Sequence, residues 1–134
     1  MADLEKLRAN LEARGFRTAY FPTADEAAAY LDGQIDGKTV GIGGSMTVKE
    51  MGLYPRLAAH TQVVWHWEGG ALRDAVLTDV YITSANALAE TGEIVNIDGN
   101  GNRVSSTLYG HQKVYFLVGV NKVAPDFEAA LWRA

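Results

Sequence analysis

Short apolar runs recur along this chain between segments of helical periodicity, and that alternation restricts the fold more than any other feature. "TVGIG" (39–43), "TQVVWHW" (61–67), "DVYIT" (79–83) and "KVYFLVGV" (113–120) are rich in β-branched and aromatic residues. Such runs read as strands, and the longest, Lys113 to Val120, has the composition of a strand covered on both faces and placed in the sheet centre.

The intervening segments carry helix signals. Leu4, Leu7 and Leu11 share one face, with Gly15 as a stop. "FRTAYF" (16–21) predicts a further short strand before Pro22. Thr23 with Glu26, and Thr47 with Glu50, are spaced as capping boxes, closed by Gly33 and Gly52. "PRLAAH" (55–60) and "GGALRDAVL" (69–77) supply further short helices, and "APDFEAALWRA" closes the chain as a helix capped near Asp126. Asp98-Gly99-Asn100-Gly101 lies between two apolar runs and predicts a β-hairpin turn.

Strands alternating with helices, then a hairpin and a last βα unit, predict a three-layer α/β fold with a mostly parallel sheet. At 134 residues the chain fits one domain, 1–134, with 1–36 as a lead-in and 37–134 as the core.

Charge and composition exclude several functions. Twelve basic against sixteen acidic residues give a net charge of −4, with no basic run, which speaks against nucleic acid and anionic membrane as partners. No cysteine is present, so this chain can hold no cysteine-ligated iron–sulfur cluster and no disulfide, in keeping with a cytoplasmic protein. The charged, periodic N-terminus is neither a signal peptide nor a membrane span.

In an open α/β sheet, ligands bind beyond the carboxyl ends of the strands. Three loops fall there by this reading: Gly41–Thr47, Ser84–Asn86 and Asn121–Lys122. In "GIGGSMTVKE", Gly41, Gly43 and Gly44 let the backbone approach a ligand, while Ser45 and Thr47 add hydroxyls. Met46 stands where a dinucleotide fingerprint needs its third glycine, and no Gly-Lys-Ser/Thr follows at P-loop spacing. A tight βα turn whose hydroxyl caps a helix explains the same residues, so turn and ligand cradle stand side by side.

Lys122, directed from the end of the strand that begins at Lys113, offers a cation for a small anion, with Asn121 donating beside it; a solvated lysine is the plainer account. Ser84 and Asn86 are further polar candidates. Glu90 in "ALAETGE" has the chemistry of a general base or covalent nucleophile, against the commoner role of orienting a loop. His60, His66 and His111 lack metal-ligand spacing and read as structural. "DGNGNR" begins like a calcium loop, but Arg103 and Tyr109 occupy positions that require glycine and glutamate.

"VGIGGSMTVKEMGL", "DVYITSANALAETGEIVNIDGNGNRVSS" and "KVYFLVGVNKVAPD" resemble, in this order, the LUD domain family of lactate utilization proteins. The resemblance covers nearly the whole chain from Lys38 onward. It implies a fold like that of the NagB/RpiA/CoA-transferase superfamily and a bacterial role in oxidising L-lactate to pyruvate, as one component of a set. The family's motif residues match Gly43, Gly44, Ser45, Thr47, Glu90, Thr91, Gly92, Asn121 and Lys122. Within such a set the iron–sulfur chemistry belongs to cysteine-bearing members, so the resemblance implies an iron–sulfur oxidoreductase partner and a chain that binds a small anionic ligand, a cofactor or that partner. Two alternatives stay open: a small CoA-transferase-like or sugar-phosphate-type enzyme using Glu90, and a binding module without chemistry. Trp65, Trp67 and Trp132 are candidates for an apolar partner surface, including one to a second copy of the chain, with core packing the plainer reading of the first two.

Overall fold

In a computed structural model of the chain, the described residues are 2–43, 46–65, 69, 72–75, 77–99 and 101–134, with the backbone alone described at 46, 72 and 73. They contain helices α1 (Leu4–Ala13), α2 (Ala24–Gln34), α3 (Met46–Glu50), α4 (Leu53–Ala58), α5 (Leu72–Ala75), α6 (Asn102–Leu108) and α7 (Phe127–Arg133). The strands are β1 (Thr39–Ile42), β2 (Gln62–Trp65), β3 (Val80–Thr83), β4 (Ala87–Ala89), β5 (Ile94–Val95), β6 (Lys113–Phe116) and β7 (Val123–Ala124). None of these helices is long and apolar enough to cross a membrane. The chain divides into two compact units, Phe21–Ser84 with Asp98–Leu117, and Met1–Tyr20 with Ala85–Ile97 and Val118–Ala134.

The larger unit is built on a four-stranded, all-parallel sheet of order β2-β1-β3-β6. Val40 pairs with Val63 on one side and Val80 on the other, and Tyr81 pairs with Val114. Because side chains alternate along a strand, Val40, Ile42, Val80 and Ile82 share one face. There they pack with Ala28, Leu31 and Ile35, with Val48 of α3, and with Leu53 and Leu57 of α4. Burying side chains of this size contributes about 1.5–3 kcal/mol each, so this face carries much of the unit's stability. The opposite face presents Gly41, Gly43 and Tyr81 to Ala75 and Thr78 at the α5 end and to Arg103 of α6. With helices on both faces, the fold is three-layer α/β.

α2 starts where the Thr23 hydroxyl accepts from the Glu26 amide, at 3.2 Å, while donating to the Glu26 carboxylate. α4 begins two residues before Pro55, whose missing N–H falls in the first turn, where helical amides have no intrahelical partner. Arg56 pairs with Asp25 at 2.5 Å, and His60 bridges Asp32 and Asp36 at 2.6 and 2.9 Å, fastening this segment to α2 and the residues after it.

The smaller unit holds a mixed sheet of order β5-β4-β7, with β4 antiparallel to β5 and parallel to β7. Leu7 of α1 packs on Ala85 and Leu88, and Ala130 of α7 packs on Ala87, Ala89 and Ala124. Asp3 caps α1 by accepting from the Lys6 amide at 3.0 Å, and Asp126 caps α7 by accepting from the Ala129 amide at 2.8 Å.

Four sequence expectations are corrected. Residues 16–21 form no strand: Phe16 and Tyr20 are exposed, and Arg8 donates to the Thr18 hydroxyl at 3.1 Å, tying the segment to α1. The hairpin is β4–β5, turning through Glu90–Glu93, with Gly92 at φ 104°. Asp98–Gly101 instead leads into a helix, because the Asp98 carboxylate captures the Arg103 and Val104 amides at 2.7 and 3.0 Å. The run from Lys113 gives a strand only to Phe116, and among the described residues β6 lies at the sheet edge, paired with β3. Thr47 is the second residue of α3 and so lies past the cap position.

Candidate functional site

β1 delivers Gly43 to the carboxyl end of the parallel sheet, and the Gly43 amide extends the ladder by donating to the Ile82 carbonyl at 2.9 Å. The site forms around that glycine. A β-carbon there would lie 2.7 Å from the Tyr81 hydroxyl, 3.0 Å from the Thr83 hydroxyl and 3.1 Å from Cγ of Arg103. The first contact is closer than side-chain carbons tolerate and the other two are tight, so glycine is what lets the three side chains converge without a shift.

Arg103 reaches this point because α6 is set by Asp98. The Asp98 side chain is 7% exposed and lies 3.5 Å from Arg103 Nε, in addition to its two bonds from backbone amides. Burial works against its charge, but the Val104 and Arg103 amides and the guanidinium outweigh that, holding the carboxyl below its ordinary range. Asp98 therefore stays ionised and orients the arginine.

Tyr81, 1% exposed, lies between these charges. Burial pushes its phenol up to about 12, with Asp98 adding to the rise while Arg103 and the nearby Ser106 hydroxyl work against it. At neutral pH the phenol is thus a hydrogen-bonding group without charge. The ring stacks on His111, centroids 4.8 Å apart, and His111 Nδ1 lies 2.7 Å from the Thr78 carbonyl.

The same unit contains other residues singled out in the sequence. Gly41 is a packing glycine: a β-carbon would meet the Ala75 carbonyl at 2.5 Å and the Thr78 hydroxyl at 2.6 Å. Gly44 and Ser45 lie outside the described residues. Thr47 is half-buried in α3, and Ser84 is buried, its carbonyl accepting from the Thr83 hydroxyl at 3.3 Å.

Asn86, Glu90, Thr91, Gly92, Asn121 and Lys122 belong to the smaller unit. The Asn86 side chain accepts from the Ile97 amide at 3.0 Å. The Glu90 carboxylate accepts from the Asp3 amide at 3.3 Å, its amide donates to the Ala124 carbonyl at 2.8 Å, and its carbonyl accepts from Asn10 at 2.8 Å. These contacts tie the hairpin turn to α1 and β7. Arg14 donates to the Thr91 carbonyl at 3.2 Å, and the Thr91 hydroxyl donates to Glu93. That bond, with Arg14 3.8 Å away, holds the Glu93 carboxyl below its ordinary range. Gly92 takes a left-handed φ of 104°, and a β-carbon there would lie 2.7 Å from Arg14 Nε. Asn121 is exposed and Lys122 half-buried, both in a 3-10 turn, Val120–Lys122, in place of the expected strand end.

A family model described as the LUD domain matches residues 4–134. The chain belongs to the LUD domain family. That family is associated with lactate utilization. No curated protein and no solved structure matches the chain significantly.

In this LUD domain, the groups gathered at Gly43 are ones that sequence reading passed over. Arg103 entered only as a residue that spoils a calcium loop, and Tyr81 only as part of a strand. Two signals were nonetheless present. Tyr81 and Thr83 alternate onto one strand face, and Asp98 stands five residues before Arg103, a spacing that suits a carboxylate reaching back over a helix start.

Proposed function

We propose that this LUD domain serves bacterial L-lactate utilization, in the cytoplasm, by binding a small carboxylate beyond the carboxyl ends of β1 and β3, with Arg103 as its cation. The observation that carries this reading is the Arg103 side chain laid across Gly43 and oriented by the ionised Asp98. A guanidinium matches a carboxylate in planar, two-pronged hydrogen bonding. Backbone without a side chain at Gly43 and the hydroxyl of Thr83 would complete the cradle, and the uncharged Tyr81 phenol adds no repulsion. L-lactate carries the required carboxylate. Its oxidation to pyruvate releases two electrons, and a chain without cysteine does not take them through a thiolate-held cluster. The redox centre then belongs to a cysteine-bearing iron–sulfur partner.

Thermal-shift and calorimetric titration with L-lactate, pyruvate, acetate, phosphate and coenzyme A test the reading. A ligand at one hundred times its Kd stabilises by about 2.7 kcal/mol, and Arg103→Met should abolish that gain for L-lactate. In a bacterium with this gene as its only copy, deletion should impair growth on L-lactate. Normal growth together with no carboxylate binding would reject the proposal.

A further inference from the structure

The larger unit holds three Asp-Gly pairs, at 32–33, 36–37 and 98–99. Such a pair carries its own chemistry. The amide nitrogen of the glycine attacks Cγ of the aspartyl carboxyl, a C–N bond forms, a C–O bond breaks, and the oxygen leaves as water with the amide and carboxyl protons. Water then opens the succinimide that results. Attack at the side-chain carbonyl restores aspartate, while attack at the main-chain carbonyl leaves isoaspartate, with the backbone running through the former side chain. Glycine favours the first step because it has no β-carbon to shield the nitrogen and its backbone turns freely.

The three pairs are chemically alike, so the fold decides which of them reacts. Asp32 and Gly33 lie in the last turn of α2, where the Ile35 amide still donates to the Leu31 carbonyl at 3.1 Å. A helical amide is committed to a carbonyl one turn back, and its nitrogen does not swing onto the preceding carboxyl. Asp98 is held by its side chain instead. That side chain is 7% exposed and accepts from the Arg103 and Val104 amides at 2.7 and 3.0 Å.

Asp36 has neither protection. It lies past the end of α2 outside any helix or strand, its side chain is 78% exposed, and Gly37 is exposed with a left-handed φ of 64°. The bond from His60, and then the Gly37 amide, hold the Asp36 carboxyl below its ordinary range, so the nitrogen that would attack already faces the group it attacks. His60 Nδ1, 2.9 Å away, acts as a restraint, because the ionised carboxylate is the unreactive form.

We infer that Asp36, between α2 and β1, is a site of spontaneous isoaspartate formation, restrained by His60, while the fold protects Asp32 and Asp98. The product inserts a methylene into the backbone three residues before β1 and withdraws the side-chain carboxylate from His60. This inference does not depend on the carboxylate reading.

The full chain, held warm in mildly acidic buffer and then digested for mass spectrometry with fragmentation that distinguishes isoaspartate, tests it. Isoaspartate should accumulate at Asp36 more than about ten times faster than at Asp98, because freeing that carboxylate breaks its bonds from two amides. Asp32 should react as slowly as Asp98. In urea the three pairs should react at similar rates, since only the fold separates them. His60→Gln should raise the rate at Asp36 several-fold and leave Asp98 unchanged, which a general loosening of the fold would not do. Equal accumulation at Asp32 or Asp98 in the folded chain, or none at Asp36 when the chain in urea reacts there, overturns the inference.

Discussion

The Arg103 side chain runs across Gly43, so closely that a β-carbon on the glycine would stand 3.1 Å from Cγ of the arginine. One residue closes β1 and the other opens α6, and their approach makes a polar cluster out of a strand end and a helix start.

Gly43→Ala should therefore destabilise the chain by about 1–3 kcal/mol, because the new methyl also meets the buried Tyr81 hydroxyl at 2.7 Å. Urea denaturation reads this as a lower midpoint at unchanged slope. An unchanged midpoint would mean that the cluster yields freely.

Asp98→Ala should cost about 2 kcal/mol, since two backbone amides and a guanidinium lose a charged acceptor. Acid should act through the same group. Its folded pKa lies below the unfolded value near 3.8, so its contribution is complete above 3.8 and is lost as pH falls through the folded pKa. Stability of Asp98→Ala against pH should accordingly be flatter than wild type below pH 4, and parallel curves would refute this.

His60 sets the opposite dependence. Both ring nitrogens face carboxylates, and only the imidazolium donates from both. Bonds to Asp32, and then to Asp36, raise its pKa above 6.5, while the bond from His60 lowers that of Asp36. The contribution is complete below pH 6.5 and lost as pH rises through the higher folded pKa. Ring-proton titration should place the His60 midpoint above 6.5, and Asp32→Asn should move it down. A midpoint unmoved by that change would remove the bridge from the account.

Gly92→Ala combines two penalties, a left-handed φ of 104° and a methyl 2.7 Å from Arg14 Nε. A loss of about 1–3 kcal/mol is expected. Arg14→Ala in the same chain should recover the steric part and leave the backbone part, which a double-mutant cycle would resolve as a coupling. Strict additivity would contradict the contact.

Much of the fold was legible because period and punctuation are local properties. Leu4, Leu7 and Leu11 mark α1 at helical spacing, and Thr23 and Asp126 cap helices where their hydrogen bonds can form within one turn. The strand cores at 39–42, 62–65 and 80–83 follow from runs of β-branched residues. The site was less legible, since a strand-end glycine announces close approach without saying what approaches.

Elsewhere the sequence misled for a physical reason. Asp98-Gly99-Asn100-Gly101 has hairpin composition, but a hairpin needs a second strand to pair with. The nearest acceptors for helical amides were the Asp98 oxygens, and α6 formed instead. The run from Lys113 looked central because apolar content reports burial, whereas position in a sheet depends on which neighbours pair with it.

By itself, then, the amino-acid order determined the α/β class, the starts of α2 and α7, the membership in the LUD domain family and the exclusion of cysteine chemistry, all of which rest on residue identity and short spacing. Tertiary structure alone decided that the hairpin turns at Glu90–Glu93, that β6 lies at an edge, and that Tyr81 and Arg103, the latter held by Asp98, meet at Gly43. Positions 43, 81, 98 and 103 come together only when parallel strands bring distant segments side by side, and no local pattern encodes that pairing.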